Sequence, residues 1–86
     1  MLKIVRHDPS AGDAVLHLEG QIIGPWVDEL RRTCDGLLPT TAVTLDLSDV
    51  SFVERRGVEL LRSLGRLGVP LLHCSAFVVE QLKVQG

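Results

Sequence analysis

The run Ala42-Val43-Thr44-Leu45-Asp46-Leu47-Ser48 constrains the fold more than any other part of this sequence. Apolar and polar residues alternate through it, so Val43, Leu45 and Leu47 share one face of a strand. Thr44, Asp46 and Ser48 share the other. A strand covered by helices on both sides would be apolar throughout. This one predicts a sheet that packs helices on one side only.

The rest of the chain supplies the elements for such a sheet. Leu2 to Val5 reads as a first strand, and Ala14 to Ile22 as a second. The turn residues Asp8-Pro9 and Ala11-Gly12-Asp13 lie between them, so the two strands are expected to pair as a hairpin. Gly24-Pro25 opens a helix, with Pro25 at the first helical position. Trp26, Leu30, Cys34 and Leu37 or Leu38 form its apolar stripe, and Pro39 stops it. Residues 55–67 read as a second helix with Val58, Leu61, Leu64 and Leu67 inward and Leu60 beside them. Gly68 ends that helix, and residues 69–74 read as a fourth strand. Ser75 then caps a short final helix whose apolar face is Phe77, Val78 and Leu82. The order β-β-α-β-α-β-α, with strands and helices alternating, implies right-handed parallel crossovers in one α/β domain spanning residues 1–86.

Composition narrows the functional classes. The chain has 86 residues, enough for one domain with a modest core. Its hydrophobic share of 45% argues against disorder. A net charge of −2, with no basic stripe and three aromatic residues in all, gives nucleic-acid binding no footprint. No run approaches the length of a membrane span, and the opening residues read as a strand rather than a signal peptide. Cys34 and Cys74 read as two reduced, buried thiols, which points to the cytoplasm.

Chemistry is hard to find. His7, His17 and His73 share no metal-ligand spacing, and each reads as solvated or singly hydrogen-bonded. Ser75, His73 and Asp46 make a triad only on paper, without a nucleophile elbow. The glycines match neither phosphate-loop spacing. Asp46 and Asp49, flanking the end of the third strand, read as turn formers and caps. The chain is therefore expected to be no enzyme, with no cofactor and no metal.

What remains is the stretch from Leu45 to Leu61, where a strand ends, a short loop crosses and a helix begins. Partners of α/β sheets usually meet the carboxyl ends of strands. Leu45-Asp46-Leu47-Ser48, then Val50-Ser51-Phe52-Val53, then Gly57-Val58-Glu59-Leu60-Leu61 together resemble the STAS domain family, named for sulphate transporters and anti-sigma factor antagonists. Leu18-Glu19-Gly20-Gln21-Ile22 is similar to that family's second strand, and residues 69–75 to its last strand and helix cap. The likeness runs from residue 2 to 84. It implies a mixed sheet of four to five strands with helices mainly on one face. It also implies binding to a protein partner, an anti-sigma factor of the histidine-kinase-like ATPase type. In the regulatory branch that partner phosphorylates the Ser of an Asp-Ser-x-Gly motif.

This sequence departs from the motif at its centre. Glu54 stands at the Asp position and Arg55 at the phosphoacceptor position, so the usual switch is absent there. The resemblance places partner contacts at Asp49, Ser51, Glu54, Arg55, Arg56 and Gly57. Glu is a poorer N-cap than Asp or Ser. Two arginines in a first turn meet the positive end of the helix dipole, at a cost of about 0.3–1 kcal/mol each. Glu59 is placed to offset a few tenths of that (about 0.2–0.5 kcal/mol). Three readings of the arginines follow: tolerated drift, contact with an acidic partner patch, or an anion held with the first-turn amides. The resemblance also admits a soluble accessory subunit of a phospholipid-type ABC transporter. A small-anion or nucleotide sensor is a further alternative. A homodimer is compatible with outward apolar residues such as Val15.

Overall fold

The computed structural model describes residues 1–84. Its elements run β1 (Leu2–His7), β2 (Asp13–Ile22), α1 (Pro25–Leu37), β3 (Ala42–Val53), α2 (Arg55–Arg66), β4 (Leu71–Leu72) and α3 (Ala76–Val84). The sheet order is β1-β2-β3-β4. β1 is antiparallel to β2, and β2–β3 and β3–β4 are parallel, so the sheet is mixed. The element order is the one read from the sequence.

The expected one-sided sheet is present. Leu16 and Leu18 of β2 and Val43, Leu45 and Leu47 of β3 are buried, with exposures of 3% or less. They join Val27, Leu30 and Cys34 of α1, Val58, Leu61 and Leu64 of α2, and Val78 of α3 in one apolar cluster. The alternate residues Val15, His17, Thr44 and Asp46 lie on the opposite face and remain partly open to solvent.

β3 is longer than its alternation predicts. The strand continues from Ser48 to Val53, through residues expected to form a loop. The pairing with β2 explains why. His17 faces Asp46 but Glu19 faces Asp49, so two steps on β2 match three on β3. Gly20 faces Val50 but Gln21 faces Phe52, a second extra residue. Each β-bulge leaves one residue unpaired and re-aims those that follow. The inward positions therefore run 43, 45, 47, 50 and 53, and Val50 and Val53 are buried at spacings of three.

Other boundaries also move. β4 is two residues long rather than six. Pro70 has no N–H for the ladder, although its carbonyl accepts from Leu45 N at 3.0 Å. His73 takes a left-handed φ of 59°, which ends the strand. Leu67 is the C-cap of α2 and 70% exposed, not part of the apolar stripe. Phe77 is 54% exposed and faces away from the core, its ring 6.1 Å from that of Phe52. Ser75 caps α3 as expected, its hydroxyl accepting from Val78 N at 3.2 Å. Cys34 and Cys74 are free, but only Cys34 is buried as expected and Cys74 is partly exposed; burial pushes the Cys34 thiol up to about 11.

Gly57 sits in the first turn of α2, buried where that helix starts against the ends of β2 and β3. A Cβ there would lie 2.7 Å from Val53 Cγ1 and 3.0 Å from the Ile22 carbonyl oxygen. The carbonyl belongs to the paired end of β2 and cannot rotate away. Overpacking of this kind costs about 1–3 kcal/mol, and Ala gains at most about 1 kcal/mol over Gly in a helix. Gly57→Ala is therefore expected to lower the melting temperature. An unchanged or raised value in a calorimetric scan would show that the helix start has room to shift.

Candidate functional site

Two groups of residues lie along the C-terminal half of β3, one on the open face of the sheet and one at the start of α2. The first centres on His17. His17 and Glu19 are two apart on β2, so both point to the open face. Asp46, opposite His17, points the same way. Strict alternation would put Ser48 next on that face. The first bulge brings Asp49 there instead, opposite Glu19. The imidazole is thereby held between two carboxylates. Its Nδ1 lies 3.2 Å from Asp46 Oδ2 and its Nε2 lies 2.7 Å from Asp49 Oδ2. Glu19 Oε1 is 3.8 Å from Nε2, and the other oxygen of Glu19 is 3.7 Å from Lys3 Nζ on β1.

This corrects the reading of His17 as solvated or singly bonded. The reading of Asp46 as a turn former is half right, because its Oδ1 accepts from the backbone N–H of Ser48 at 3.0 Å. That N–H, then the Ser48 hydroxyl and His17, hold the Asp46 carboxyl down to about 2. Hydrogen bonds to Asp46 and Asp49 raise His17 above 6.5. His73, by contrast, lies beyond the end of β4, and it is His17 that meets Asp46.

The second group is the segment expected to meet a partner. Glu54 is the N-cap of α2 in extended conformation, and its side chain makes no capping hydrogen bond. Arg55 follows as the first helical residue, 80% exposed, with Nε 3.7 Å from Glu59. Arg56 reaches instead to α1, where its guanidinium donates to Asp28 Oδ1 at 3.0 Å. Ser51, exposed on β3, donates to the Gly20 carbonyl at 3.2 Å. Beside it Phe52 is partly exposed against Phe77. Below this strip the Gln81 amide holds both backbone polar groups of Val53. It accepts from Val53 N at 3.3 Å and donates to Val53 O at 2.5 Å. Arg62 of α2 also donates to the Leu82 carbonyl.

The structure thus brings Ser51, Glu54, Arg55 and Arg56 to one end of the molecule and buries Gly57 beneath them. Asp49 turns away to the open face with His17. A cavity of about 400 Å³ lies elsewhere, beside the start of β3, lined by residues such as Leu38, Val43, Leu67 and Val69. It has no convergent charged groups. No helix among the described residues is long and apolar enough to cross a membrane.

With this geometry in hand, the chain can be set beside known proteins. No protein-family model matches it, and no curated protein does either. Solved structures do. SpoIIAA, an anti-sigma factor antagonist, superposes in its unphosphorylated form with a TM-score of 0.75, covering 98% of this chain and 81% of that one at 16% identity.

The chain has the anti-sigma factor antagonist fold.

The Bacillus SpoIIAA structure in its phosphorylated form gives a TM-score of 0.69 at 15% identity, covering 98% of this chain and 84% of that one. An anti-sigma factor antagonist from Mycobacterium paratuberculosis gives 0.64 at 16% identity, covering 96% of this chain and 95% of that one. The likeness spans the whole STAS-type architecture, β1 and α3 included. The resemblance read from scattered motifs is therefore a resemblance of fold.

The His17 clamp has a definite pH window. A histidine raised on folding stabilises the native state fully below its unfolded value of 6.5, and that contribution fades as pH rises through the folded value. Asp46, lowered on folding, contributes above 3.8 and is lost as pH falls toward about 2. The clamp is thus complete between 3.8 and 6.5. An NMR titration is expected to place the His17 midpoint above 6.5. Asp49→Asn removes the charge of one of the two carboxylates and should bring that midpoint down. A midpoint unmoved by the substitution would mean that the Asp49 contact does not persist in solution.

Proposed function

We propose that this chain is a non-catalytic interaction module of the anti-sigma factor antagonist kind, working without phosphorylation at residue 55. The observation that supports this most is the fold likeness over 98% of the chain. With it goes the character of the strip at the carboxyl end of β3. Exposed side chains of mixed type stand there: Ser51, Phe52, Arg55 and Phe77. An exposed aromatic pair beside an exposed guanidinium is the kind of surface that carries binding energy in protein interfaces.

The proposed partner is an anti-sigma factor of the histidine-kinase-like ATPase type, as the sequence resemblance implies. Arg55 has no hydroxyl, so the partner cannot release itself by phosphorylating this position. Arg56 is engaged by Asp28, which leaves Arg55 as the more available cation. That favours an acidic patch on the partner over an anion gripped by both arginines. Glu54 is then a weak cap kept beside a recognition residue, and Asp49, turned to the open face, lies at the margin of the surface.

Binding by a purified ATPase of that type, followed calorimetrically with and without ATP, tests the reading. The complex is expected to form in both conditions. Arg55→Glu should weaken it by about tenfold or more, as charge reversal at an interface does. Release on adding ATP, with phosphate found on Ser51, would overturn the unswitched reading. Failure to bind any such ATPase, together with co-purification with a membrane transporter, would move the chain to the accessory-subunit alternative.

Glu54 offers a separate check. Glu54→Ser supplies the capping oxygen that α2 lacks and is expected to stabilise the fold by about 0.5–1 kcal/mol. A denaturant melt reads this directly. Higher stability with weaker partner binding would assign Glu54 a contact, and unchanged binding would leave it outside the interface.

A further inference from the structure

We propose that His17, Glu19 and Asp49 form a binding site for a divalent transition-metal ion of the zinc type on the open face of the sheet. One atom from each, an imidazole nitrogen and two carboxylate oxygens, lies within 4.8 Å of the others. They come from two adjacent strands and none is in the core, so the three side chains meet without strain on the apolar packing.

The set is a metal centre by its parts. An imidazole with two carboxylates suits zinc and its neighbours, while calcium and magnesium take oxygen donors and leave imidazole aside. The ring is oriented for the task. Asp46 holds Nδ1 at 3.2 Å and is itself held by the Ser48 N–H at 3.0 Å. A metal ion would displace the proton that Nε2 shares with Asp49, leaving Nδ1 protonated against Asp46 and the Nε2 lone pair on the side of Asp49 and Glu19. A carboxylate behind a ligating histidine is the usual outer support of such sites. Glu19 keeps one oxygen toward the imidazole while the other meets Lys3. Once the ring gives up that proton, three carboxylates and one ammonium leave two negative charges, which a dication would balance.

The distances require only a small adjustment. Nε2 and Asp49 Oδ2 are 2.7 Å apart. They would open by roughly 0.6 Å to span the edge of a tetrahedron with bonds of about 2.0–2.1 Å. Nε2 and Glu19 Oε1, at 3.8 Å, would close by a similar amount. The fourth position faces solvent and would take water. The bulge in β3 is what makes the set, since it turns Asp49 rather than Ser48 toward His17. An ion there would tie β2 to β3 at the bulge, just before β3 runs into the start of α2.

The test uses the full chain, stripped of metal and titrated with zinc chloride by calorimetry. One ion per chain is expected. His17→Ala should abolish binding and Asp49→Asn weaken it at least tenfold. Asp46→Asn should lower affinity by about 10–100-fold with stoichiometry unchanged, the mark of a positioning residue. Cobalt should bind without a thiolate charge-transfer band. On the wild type, one equivalent of zinc should shift the ring signals of His17 rather than those of His7 or His73, a readout that needs no variant to fold. Absence of saturable binding would overturn the proposal. So would wild-type affinity in His17→Ala, or a thiolate band showing that Cys34 or Cys74 takes the ion.

Discussion

The parallel pairing of β2 with β3 is the contact on which everything else hangs. It joins residues about thirty apart in sequence. Its inward side chains provide the floor against which all three helices pack. Its outward side chains provide the polar face, and its carboxyl end launches α2. Pairing of this kind is non-local, so chain entropy is lost before the contact is rewarded. The antiparallel β1–β2 hairpin, built by near neighbours, widens the sheet but does not set its register with the helices.

Two bulges in β3 give that pairing its character. Without them, alternation would carry Asp49 inward and Val50 outward, a buried charge for an exposed valine. One extra residue at each bulge keeps Val50 and Val53 in the core. It also puts Asp49 on His17 and leaves Phe52 at the surface. A local irregularity in one strand thereby decides the composition of two surfaces at once. Gly57 completes the device, because only a hydrogen at that position lets α2 begin so close to Ile22 and Val53.

Much of this was legible in the residues. The period-two run at residues 42–48 and the stripes of α1 and α2 fixed the elements and the open face, since each is a local pattern. The strip of Arg55 and its neighbours was legible through its place at a strand end. The His17 cluster was not. His17 lies 29 and 32 positions from Asp46 and Asp49, and their meeting depends on a register that a period of two cannot foretell once bulged. The Arg56–Asp28 and Gln81–Val53 contacts were invisible for the same reason. Phe77 and Leu67 misled because an apolar residue at helical spacing looks inward, whereas Leu67 sits at the C-cap of α2 and Phe77 lies on the outer side of α3, next to the buried Val78.

The Gln81 amide carries one more consequence. Val53 is buried, and its N–H and C=O are met by a side chain from α3 rather than by a neighbouring strand. If α3 lifts away, those two groups lose their partners at the residue next to Glu54, and the entry into α2 loosens with them. Gln81 thus ties α3 to the entry of α2 by hydrogen bonds as well as through Val78 in the core.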